Sequence, residues 1–292
     1  MTTYARLVRF VPASAPSSQP LIGEPCDELL DVGLAAHGSQ PIEVEVFSGS
    51  SILQPGHRTG KKEHVKTLLS PLAAVEVGTI RCIGLNYLSH AKEMNLAIPP
   101  APILFMKPST SLGDPWPAKT VIPKATAADN AADYESEVAI VLGKTCKDVS
   151  EAEAMDRFLG ITASNDVSSR VVQFAQSQWC FSKSFDGACP IGPAFVHKSQ
   201  IKDLGEVRIT GSLNGKVVQT GKLDDLIFSI PKIISFLSQG TTLPAGTLIL
   251  TGTPVGVGWS RQPRLVLGDG DEFRVRVSHS VGTLINSVAV EH

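Results

Sequence analysis

Two glutamates stand two residues apart at the start of a segment that predicts a buried β-strand. Glu135 and Glu137 precede the apolar run 138–142, and side chains two positions apart on a strand point to the same face. Burial and mutual repulsion are unfavourable for both carboxylates, so a cation should compensate them. A hard divalent metal suits such oxygen ligands. The alternative reading is a solvated strand start.

A third carboxylate, Asp166, follows a second apolar segment, 158–165. The sequence from Val167 onward predicts a helix, on which Asp166, Arg170 and Gln173 would share one face. In that reading Asp166 is a simple N-cap of the helix.

Asp166 is also a candidate third ligand beside Glu135 and Glu137. A three-carboxylate site leaves positions open for water or substrate, as Mg²⁺ and Mn²⁺ prefer. Asp129 and Asp133 lie nearby in the sequence and compete for the same role.

His90 and Glu93 lie in segment 86–95, which predicts a helix with both side chains on one face. A histidine oriented by a carboxylate is a ready general base that activates water. A surface ion pair is the alternative interpretation of this spacing.

Lys183 stands among aromatic and small residues in Trp179-Cys-Phe-Ser-Lys183. There it would anchor a carboxylate or stabilise an enolate, and a surface lysine is the alternative. The glycine-rich segment 251–258 follows a buried strand, and its backbone N–H groups would bind an anion. It lacks the lysine of a P-loop, so a tight turn is the default reading.

Composition excludes several classes of function. The chain has 292 residues, 42% of them hydrophobic, and a net charge of −2, which suits a globular protein of one large domain or one medium and one small domain. No basic block points to nucleic acid or to a membrane surface, and no apolar run is long enough for a bilayer span.

The five cysteines form no C-x-x-C pair, which predicts reduced thiols in a cytosol-like compartment. Cys180 and Cys189 are interpreted as packing cysteines. Arg6 and Arg9 precede the first acidic residue, a weak transit-peptide feature, but segment 5–11 fits an opening strand better.

The elements that position these residues are mostly strands. Residues 1–75 predict a small N-terminal domain, and residues 79–292 a catalytic domain in which strand-like segments recur between turn signals. Asn214-Gly215 predicts a hairpin. Helices are predicted at 151–158 and 229–240, the latter with Ser229 as N-cap and Gly240 as C-cap. The class is a strand-dominated α+β fold.

In order, these segments resemble the fumarylacetoacetate hydrolase family over residues 79–290. The resemblance rests on Gly84-Leu-Asn-Tyr-Leu-Ser-His90, Phe105-Met-Lys-Pro108, Asp133-Tyr-Glu-Ser-Glu137, Asn165-Asp-Val-Ser-Ser-Arg170, Lys183-Ser-Phe-Asp186, Asn214-Gly215 and Thr251-Gly-Thr-Pro254. It implies a rolled mixed β-sheet with short flanking helices, usually in a homodimer, and Mg²⁺ or Mn²⁺ at the site. The N-terminal segment resembles the variable leader domain of these proteins.

The resemblance also implies roles for individual residues. The metal-ligand positions correspond to Glu135, Glu137 and Asp166. The catalytic dyad of the acylpyruvase and oxaloacetate decarboxylase branch, carried on a mobile lid at about 86–100, corresponds to His90 and Glu93. The positions that bind the α-keto acid correspond to Lys183, Gln173 and Thr253, with Arg170 nearby. The chain departs from many relatives at Ser182 and at Cys189, where the shape of the substrate pocket is affected.

The implied activity is metal-dependent hydrolysis of a C–C bond in a 2,4-diketo acid of the acylpyruvate or fumarylpyruvate type, through a metal-chelated enolate. His90, oriented by Glu93, would activate water, and Lys183 would act at the keto-acid end. Oxaloacetate decarboxylation by a lyase and keto–enol isomerisation remain alternatives on the same site, and a non-catalytic binding protein is a third reading. The expected partner is a small α-keto acid, and the expected location is the cytoplasm, with the mitochondrion as the alternative.

Overall fold

The computed structural model describes residues 4–292. Its strands are β1 (Arg6–Pro12), β2 (Leu21–Pro25), β3 (Glu43–Phe47), β4 (Arg58–Leu69), β5 (Ile80–Gly84), β6 (Ile103–Lys107), β7 (Leu112–Gly113), β8 (Lys119–Ile122), β9 (Ala132–Asp133), β10 (Ser136–Leu142), β11 (Phe158–Asn165), β12 (Ser168–Ser169), β13 (Cys189–His197), β14 (Arg208–Leu213), β15 (Lys216–Lys222), β16 (Leu248–Leu250), β17 (Glu272–Val277) and β18 (Gly282–Val290).

The α-helices are short: α1 (Val32–His37), α2 (Ala74–Val77), α3 (Leu88–Glu93), α4 (Lys124–Ala127), α5 (Glu151–Arg157), α6 (Arg170–Ala175), α7 (Cys180–Lys183) and α8 (Ile230–Ser238). Single turns of 3₁₀ helix cover Ser109–Ser111, Lys198–Gln200, Leu204–Glu206, Leu223–Asp225 and Gly258–Ser260. None of the helices in the described part of the chain is long and apolar enough to cross a bilayer.

Two large mixed sheets and one small ribbon hold these strands. The first sheet runs β2-β3-β4-β1-β13-β11-β10-β16-β5-β6, with β7 beside β13, and the second runs β15-β14-β17-β18-β8. Strands β9 and β12 form the ribbon. Parallel pairs (β5 with β16, β7 with β13, β8 with β18) occur among antiparallel ones. The prediction of a strand-dominated mixed sheet with short flanking helices is confirmed.

Strand β10 lies between two of the three hydrophobic clusters of the described residues. Every residue of β10 is buried. Alternate side chains leave a strand on opposite faces, so Val138 and Ile140 enter the cluster shared with the second sheet, whereas Ala139 and Val141 enter the cluster shared with β1 and β13. Burial on both faces explains why residues 138–142 of β10 form a continuous apolar run.

The N-terminal strands continue the first sheet. Strand β1 pairs with β2 and with β4 on its two edges along residues 8–12, and its first residues pair with β13, where Arg6 stands opposite Val196. The division of the chain into residues 1–75 and 79–292 stays a prediction.

Several local predictions are confirmed. Strands β5 and β17 have the expected ranges, and the hairpin between β14 and β15 turns at Asn214 and Gly215, with φ of 49° and 79°. Ser229 caps α8 by accepting the Lys232 N–H. The helix ends one residue earlier than expected, with Gln239 as C-cap and Gly240 following at φ 65°.

The helix predicted from Val167 is wrong. Residues Ser168 and Ser169 form β12 instead, paired with β9, and α6 begins only at Arg170 with Ser169 as its N-cap. Pairing with a strand distant in sequence overrides the local helical pattern. Asp166 is therefore not on the helix and does not cap it.

The interpretation of Cys180 as a packing cysteine is also wrong, because its side chain is exposed at the start of α7. The single turn of α7 directs Ser182 and Lys183 inward and leaves Cys180 outside. Cys189 is buried on β13, as expected.

Candidate active site

Antiparallel pairing of β10 with β11 brings three carboxylates together. Ser136 stands opposite Asn165, and the Asp166 N–H donates to the Glu135 carbonyl oxygen at 2.9 Å. Glu135 and Asp166 therefore flank the end of the strand pair, and Glu137 lies one pair further along. Candidate ligand oxygens of Glu135, Glu137 and Asp166 all lie within 4.8 Å of one another, and all three side chains are buried.

Two cations hold Glu135. The Lys183 ammonium donates to Glu135 Oε2 and to Asp166 Oδ2, each at 2.8 Å, and Arg170 Nη2 lies 2.7 Å from Glu135 Oε1. Burial alone would raise the pKa of Glu135, but Lys183 and Arg170 outweigh it and lower that pKa to about 2. Burial opposes the charge on Lys183, yet Asp166 and Glu135 raise its pKa above the ordinary value. Lys183 is therefore a fixed positive charge.

A second buried lysine, Lys107 at the end of β6, contacts the same cluster. Its ammonium lies 2.6 Å from Asp166 Oδ1 and 2.7 Å from the Ala188 carbonyl oxygen, and its side chain is fully buried. The sequence analysis gave this residue no role. The one available signal was a lysine closing an apolar strand, which is rare in a fully buried position unless the charge is paired.

Glu137 has no such partner. Within residues 4–292 it makes no ion pair, and its carboxylate accepts the Gly252 N–H at 2.6 Å. Burial, followed by the nearby Asp166 and Glu135 carboxylates, raises the pKa of Glu137 well above its ordinary value. A buried carboxylate without a counter-cation, next to two more, fits a divalent metal ion.

The predicted dyad forms on α3. His90 Nδ1 lies 3.0 Å from Glu93 Oε2, and His90 lines the same cavity as Glu135 and Glu137. Glu93 also accepts the Gly256 N–H and the Ser260 hydroxyl, each at 3.1 Å. Burial alone would raise the pKa of Glu93, but these hydrogen bonds lower it. The carboxylate is held ionised against the histidine ring.

The glycine-rich loop after β16 binds carboxylates of the protein itself. Its backbone N–H groups donate from Gly252 to Glu137, from Gly256 to Glu93, and from Gly258 to Asp133 at 2.8 Å. The expectation that 251–258 offers N–H groups to an anion therefore applies to internal side chains. The loop joins the carboxylate cluster to the dyad.

Asp133, considered above as a competing ligand, instead anchors Arg170. Its Oδ2 accepts from Arg170 Nε at 2.8 Å and from the Trp259 N–H at 3.0 Å. Arg170 Nη1 in turn donates to Gln173 Oε1 at 2.9 Å. Arg170 and Gln173 line the cavity, although Asp166 does not share their helix. The other competitor, Asp129, is exposed.

Thr253 lines the cavity and is held from behind by Gln219. The Gln219 Nε2 donates to Thr253 Oγ1 at 2.8 Å, and Gln219 Oε1 accepts the N–H and hydroxyl of Ser136 at 2.8 and 2.7 Å. Thr253 Oγ1 itself donates to the Ser136 carbonyl oxygen at 3.1 Å. Sequence reasoning missed Gln219, since a single glutamine on a hairpin strand carries no pattern.

These groups surround one cavity of about 420 Å³. Its polar lining consists of His90, Glu135, Glu137, Arg170, Gln173, Lys183 and Thr253. The remaining wall is apolar and comes from β5, β6, α6, Trp179 and the segment that follows α3. The structure thus brings seven of the nine predicted site residues into the cavity wall. Of the other two, Glu93 contacts His90, and Asp166 is buried against Lys183 within the carboxylate cluster.

A family model for the fumarylacetoacetate hydrolase C-terminal domain matches residues 79–289. The chain belongs to this family.

Two of the relatives are named for different activities. The chain is 42% identical over 297 residues to caffeoylpyruvate hydrolase of Neonothopanus nambi, covering 99% of this chain and 95% of that protein. It is 36% identical to human mitochondrial oxaloacetate tautomerase FAHD2A, covering 76% of this chain and 69% of the relative. Among solved structures, 5-carboxymethyl-2-hydroxymuconate delta-isomerase of Mycobacterium smegmatis matches with a TM-score of 0.77 and 28% identity, covering 98% and 100% of the two chains.

Proposed function

We propose that this protein is a divalent-metal-dependent hydrolase that cleaves the bond between carbons 3 and 4 of a 2,4-diketo acid. The observation that carries the proposal is that His90, paired with Glu93, lines the same cavity as Glu135 and Glu137, which form a buried three-carboxylate cluster with Asp166. Together these supply a base for water and a site for a cation. The 42% identity to caffeoylpyruvate hydrolase over 99% of the chain supports the same reaction class.

Glu135, Glu137 and Asp166 are the proposed ligands of Mg²⁺ or Mn²⁺, because hard cations of this size prefer carboxylate oxygens. When bound, the cation would polarise the 2-keto oxygen of the substrate and offset negative charge that develops there. Glu137 supplies the charge that neither Lys183 nor Arg170 neutralises.

The dyad is proposed to activate water. With its Nδ1–H donated to Glu93, His90 has an unprotonated Nε2 that accepts a proton from water. The water oxygen bonds to the carbonyl carbon at position 4, and the bond between carbons 3 and 4 breaks. One product is a carboxylic acid, and the other is the enolate of pyruvate, which takes up a proton to give pyruvate.

The keto-acid end is proposed to lie against Lys183, Arg170, Gln173 and Thr253. Lys183 remains protonated because Asp166 and Glu135 raise its pKa, so its role is electrostatic and not that of a base. Arg170 is fixed by Asp133 and Glu135, and its planar guanidinium suits a carboxylate.

Oxaloacetate tautomerisation is the second candidate, favoured by the 36% identity to the human tautomerase. That reaction moves one proton between carbon and oxygen and needs no attacking water. Decarboxylation of oxaloacetate would form the same enolate with release of CO₂. Tautomerisation and decarboxylation would both use the three-carboxylate cluster and Lys183, and the His90–Glu93 dyad would carry the proton.

The test is an assay of the purified, metal-stripped protein with acetylpyruvate and with oxaloacetate, each with and without Mg²⁺ or Mn²⁺. Metal-dependent production of pyruvate and acetate from acetylpyruvate supports the hydrolase. Rapid enol–keto conversion of oxaloacetate without cleavage of acetylpyruvate would show that the protein is a tautomerase and not a hydrolase. Release of CO₂ from oxaloacetate would show that it is a decarboxylase.

The dyad is tested separately by His90→Ala. We expect the rate of C–C cleavage to fall about 10²- to 10⁴-fold, as for loss of a general base, while Mg²⁺ affinity by calorimetry changes little. The exposed His64 on β4 provides a matched control, and His64→Ala should retain full activity. Cleavage at the normal rate in His90→Ala would remove the dyad from the mechanism.

Association of two copies of the chain and a cytoplasmic or mitochondrial location remain predictions. Size-exclusion chromatography with light scattering tests the first, and localisation of a tagged chain in cells tests the second.

A further inference from the structure

We infer that the substrate carries a planar, uncharged aromatic group as its tail, bound in an apolar slot between Trp179 and the segment after α3. This inference rests on the proposed function, because it concerns the part of a 2,4-diketo acid beyond the scissile bond. It names the tail of the substrate and the side chains that select it.

The cavity is larger than the keto-acid end requires. Its volume of about 420 Å³ lies in the range of about 300–1,000 Å³ typical of sites for larger ligands. The polar residues form one part of the wall, and the other part is apolar. The ring of Phe105 marks the boundary, because the Lys183 ammonium lies 4.8 Å from its centroid.

Aromatic rings form a corner in the apolar part. The rings of Phe105 and Trp179 meet edge to face, with centroids 5.7 Å apart and planes at 65°. Aromatic groups prefer edge-to-face and offset contacts with such rings. A planar tail can contact both walls, whereas a methyl tail leaves them uncovered.

The position of Trp179 depends on Gly84 at the end of β5. A Cβ added at Gly84 would lie 2.4 Å from Cζ3 of the indole, so the ring packs directly on the glycine backbone. This close approach fixes the ring as a wall of the slot.

The segment after α3 supplies a further part of the apolar wall. Met94, Leu96, Ala97 and Pro99 line the cavity there, and Leu96 is 51% exposed. An apolar tail between this segment and Trp179 would remove such surface from water, which favours binding.

The apolar part offers no partner for a charged tail. The titratable residues in the described lining are Glu135, Glu137, His90, Arg170 and Lys183, and the cations that could bind a carboxylate are Arg170 and Lys183. Both cations are already paired with Glu135. A second carboxylate on the tail, as in a fumaryl or succinyl group, would be desolvated without a counter-ion, which is strongly unfavourable.

The first experiment compares tails on the wild-type enzyme loaded with Mg²⁺. The substrates are acetylpyruvate, hexanoylpyruvate, benzoylpyruvate and fumarylpyruvate. We expect kcat/KM for benzoylpyruvate to exceed that for acetylpyruvate by about tenfold or more, and fumarylpyruvate to be the poorest. Equal values for acetyl and benzoyl tails, or a preference for the fumaryl tail, would overturn the inference.

The second experiment substitutes Trp179, the aromatic wall of the slot. In Trp179→Leu the ratio of kcat/KM for benzoylpyruvate to that for hexanoylpyruvate should fall about tenfold, because leucine keeps apolar contact but loses the flat face. Trp116→Leu is the matched control, since Trp116 packs against His37 outside the cavity. An unchanged ratio in Trp179→Leu would contradict the assignment of this wall.

The two levels of the proposal fail in different ways. If none of the four diketo acids is cleaved, the hydrolase proposal fails. Binding of an aromatic tail in the slot is then tested by quenching of tryptophan fluorescence with benzoylpyruvate. Quenching should occur in wild type and in Trp116→Leu, and it should be weaker in Trp179→Leu. Cleavage without any tail preference leaves the hydrolase intact and rejects the slot. Thermal unfolding of each variant shows whether a fall in the benzoyl-to-hexanoyl ratio of kcat/KM is caused by loss of the fold.

Discussion

Both carboxylate oxygens of Glu93 lie 3.1 Å from the backbone nitrogen of Gly256. One residue belongs to the helix that carries the proposed base, and the other to the loop whose Gly252 N–H binds Glu137. Glu93 therefore has two functions in the geometry: it orients His90 and it joins α3 to the loop. Any change in this carboxylate should act on both.

The first prediction concerns Glu93→Gln. The amide oxygen can still accept the Gly256 N–H, but a neutral group stabilises a protonated His90 less well. We expect kcat for C–C cleavage to fall about 10- to 100-fold with a small change in stability. Steady-state kinetics with thermal unfolding test this. Glu151→Gln, at the surface site where Glu151 meets Lys232, is the control. Full activity in Glu93→Gln would show that the carboxylate does not assist His90.

The second prediction is that Glu137→Gln and Glu135→Gln shift stability in opposite directions. The pKa of Glu137 is raised, so its folded form favours the proton, and at neutral pH the charged group opposes folding. Without metal, Glu137→Gln should raise the free energy of unfolding, because the neutral amide avoids the cost of a buried charge. The same variant should abolish stabilisation by Mg²⁺. Urea unfolding at pH 7, with and without Mg²⁺, measures both effects.

Glu135 has a pKa lowered to about 2, so its ionised form stabilises the fold above the ordinary pKa of a glutamate. That stabilisation is lost as the pH falls from about 4.5 towards 2. Glu135→Gln should therefore lower the free energy of unfolding at pH 7 by about 2–3 kcal/mol. Shifts of the same sign in Glu135→Gln and Glu137→Gln would contradict the assigned electrostatics.

The third prediction concerns Lys183→Met. Removing the ammonium leaves Glu135 and Asp166 facing each other in the interior, and loss of one partner of a buried ion pair typically costs about 3–5 kcal/mol. Excess Mg²⁺ should restore part of this loss by replacing the missing charge. Lys232→Met, at an exposed pair, should change stability by about 0.5 kcal/mol or less. A metal-independent loss in Lys183→Met would place Lys183 outside the electrostatic cluster.

The fourth prediction is that Asp133→Asn and Asp129→Asn have different effects on stability and on KM. Asp133→Asn puts an amide N–H₂ group against either Arg170 Nε or the N–H groups of Gly258 and Trp259, all of which are donors. We expect a loss of about 2–4 kcal/mol of stability and a raised KM, because Arg170 loses its anchor. Asp129→Asn, on an exposed side chain, should match wild type in both measurements. Equal behaviour of the two variants would remove Asp133 from the site.

Sequence reasoning succeeded where geometry is local. The same-face rule for a strand placed Glu135 with Glu137, and the spacing of three on a helix placed His90 with Glu93, since each pair depends only on the backbone between its members. The rule remained valid although Glu135 lies just outside the observed strand.

Reasoning from the sequence failed for contacts between residues that are distant in the chain. Residues after Asp166 have a helical pattern, but the pairing of Ser168 with Asp133 imposes a strand there. Lys107 reaches Asp166, and Gln219 reaches Ser136, across long stretches of chain. No periodicity of one segment encodes such partners, and they become visible only when the sheets are assembled.

The pairing of β1 with β13 affects how the chain must fold. Leu7 stands opposite Phe195, so β1 gains this neighbour only after β13, far along the chain, has been made. During synthesis, residues 8–12 of β1 can pair with β2 and β4 while Arg6 and Leu7, which pair with β13 in the fold, stay open. An open strand edge invites association with other chains, and contacts between distant residues slow folding. The nascent N-terminal strands are therefore the part of this protein with the greatest need of protection by chaperones.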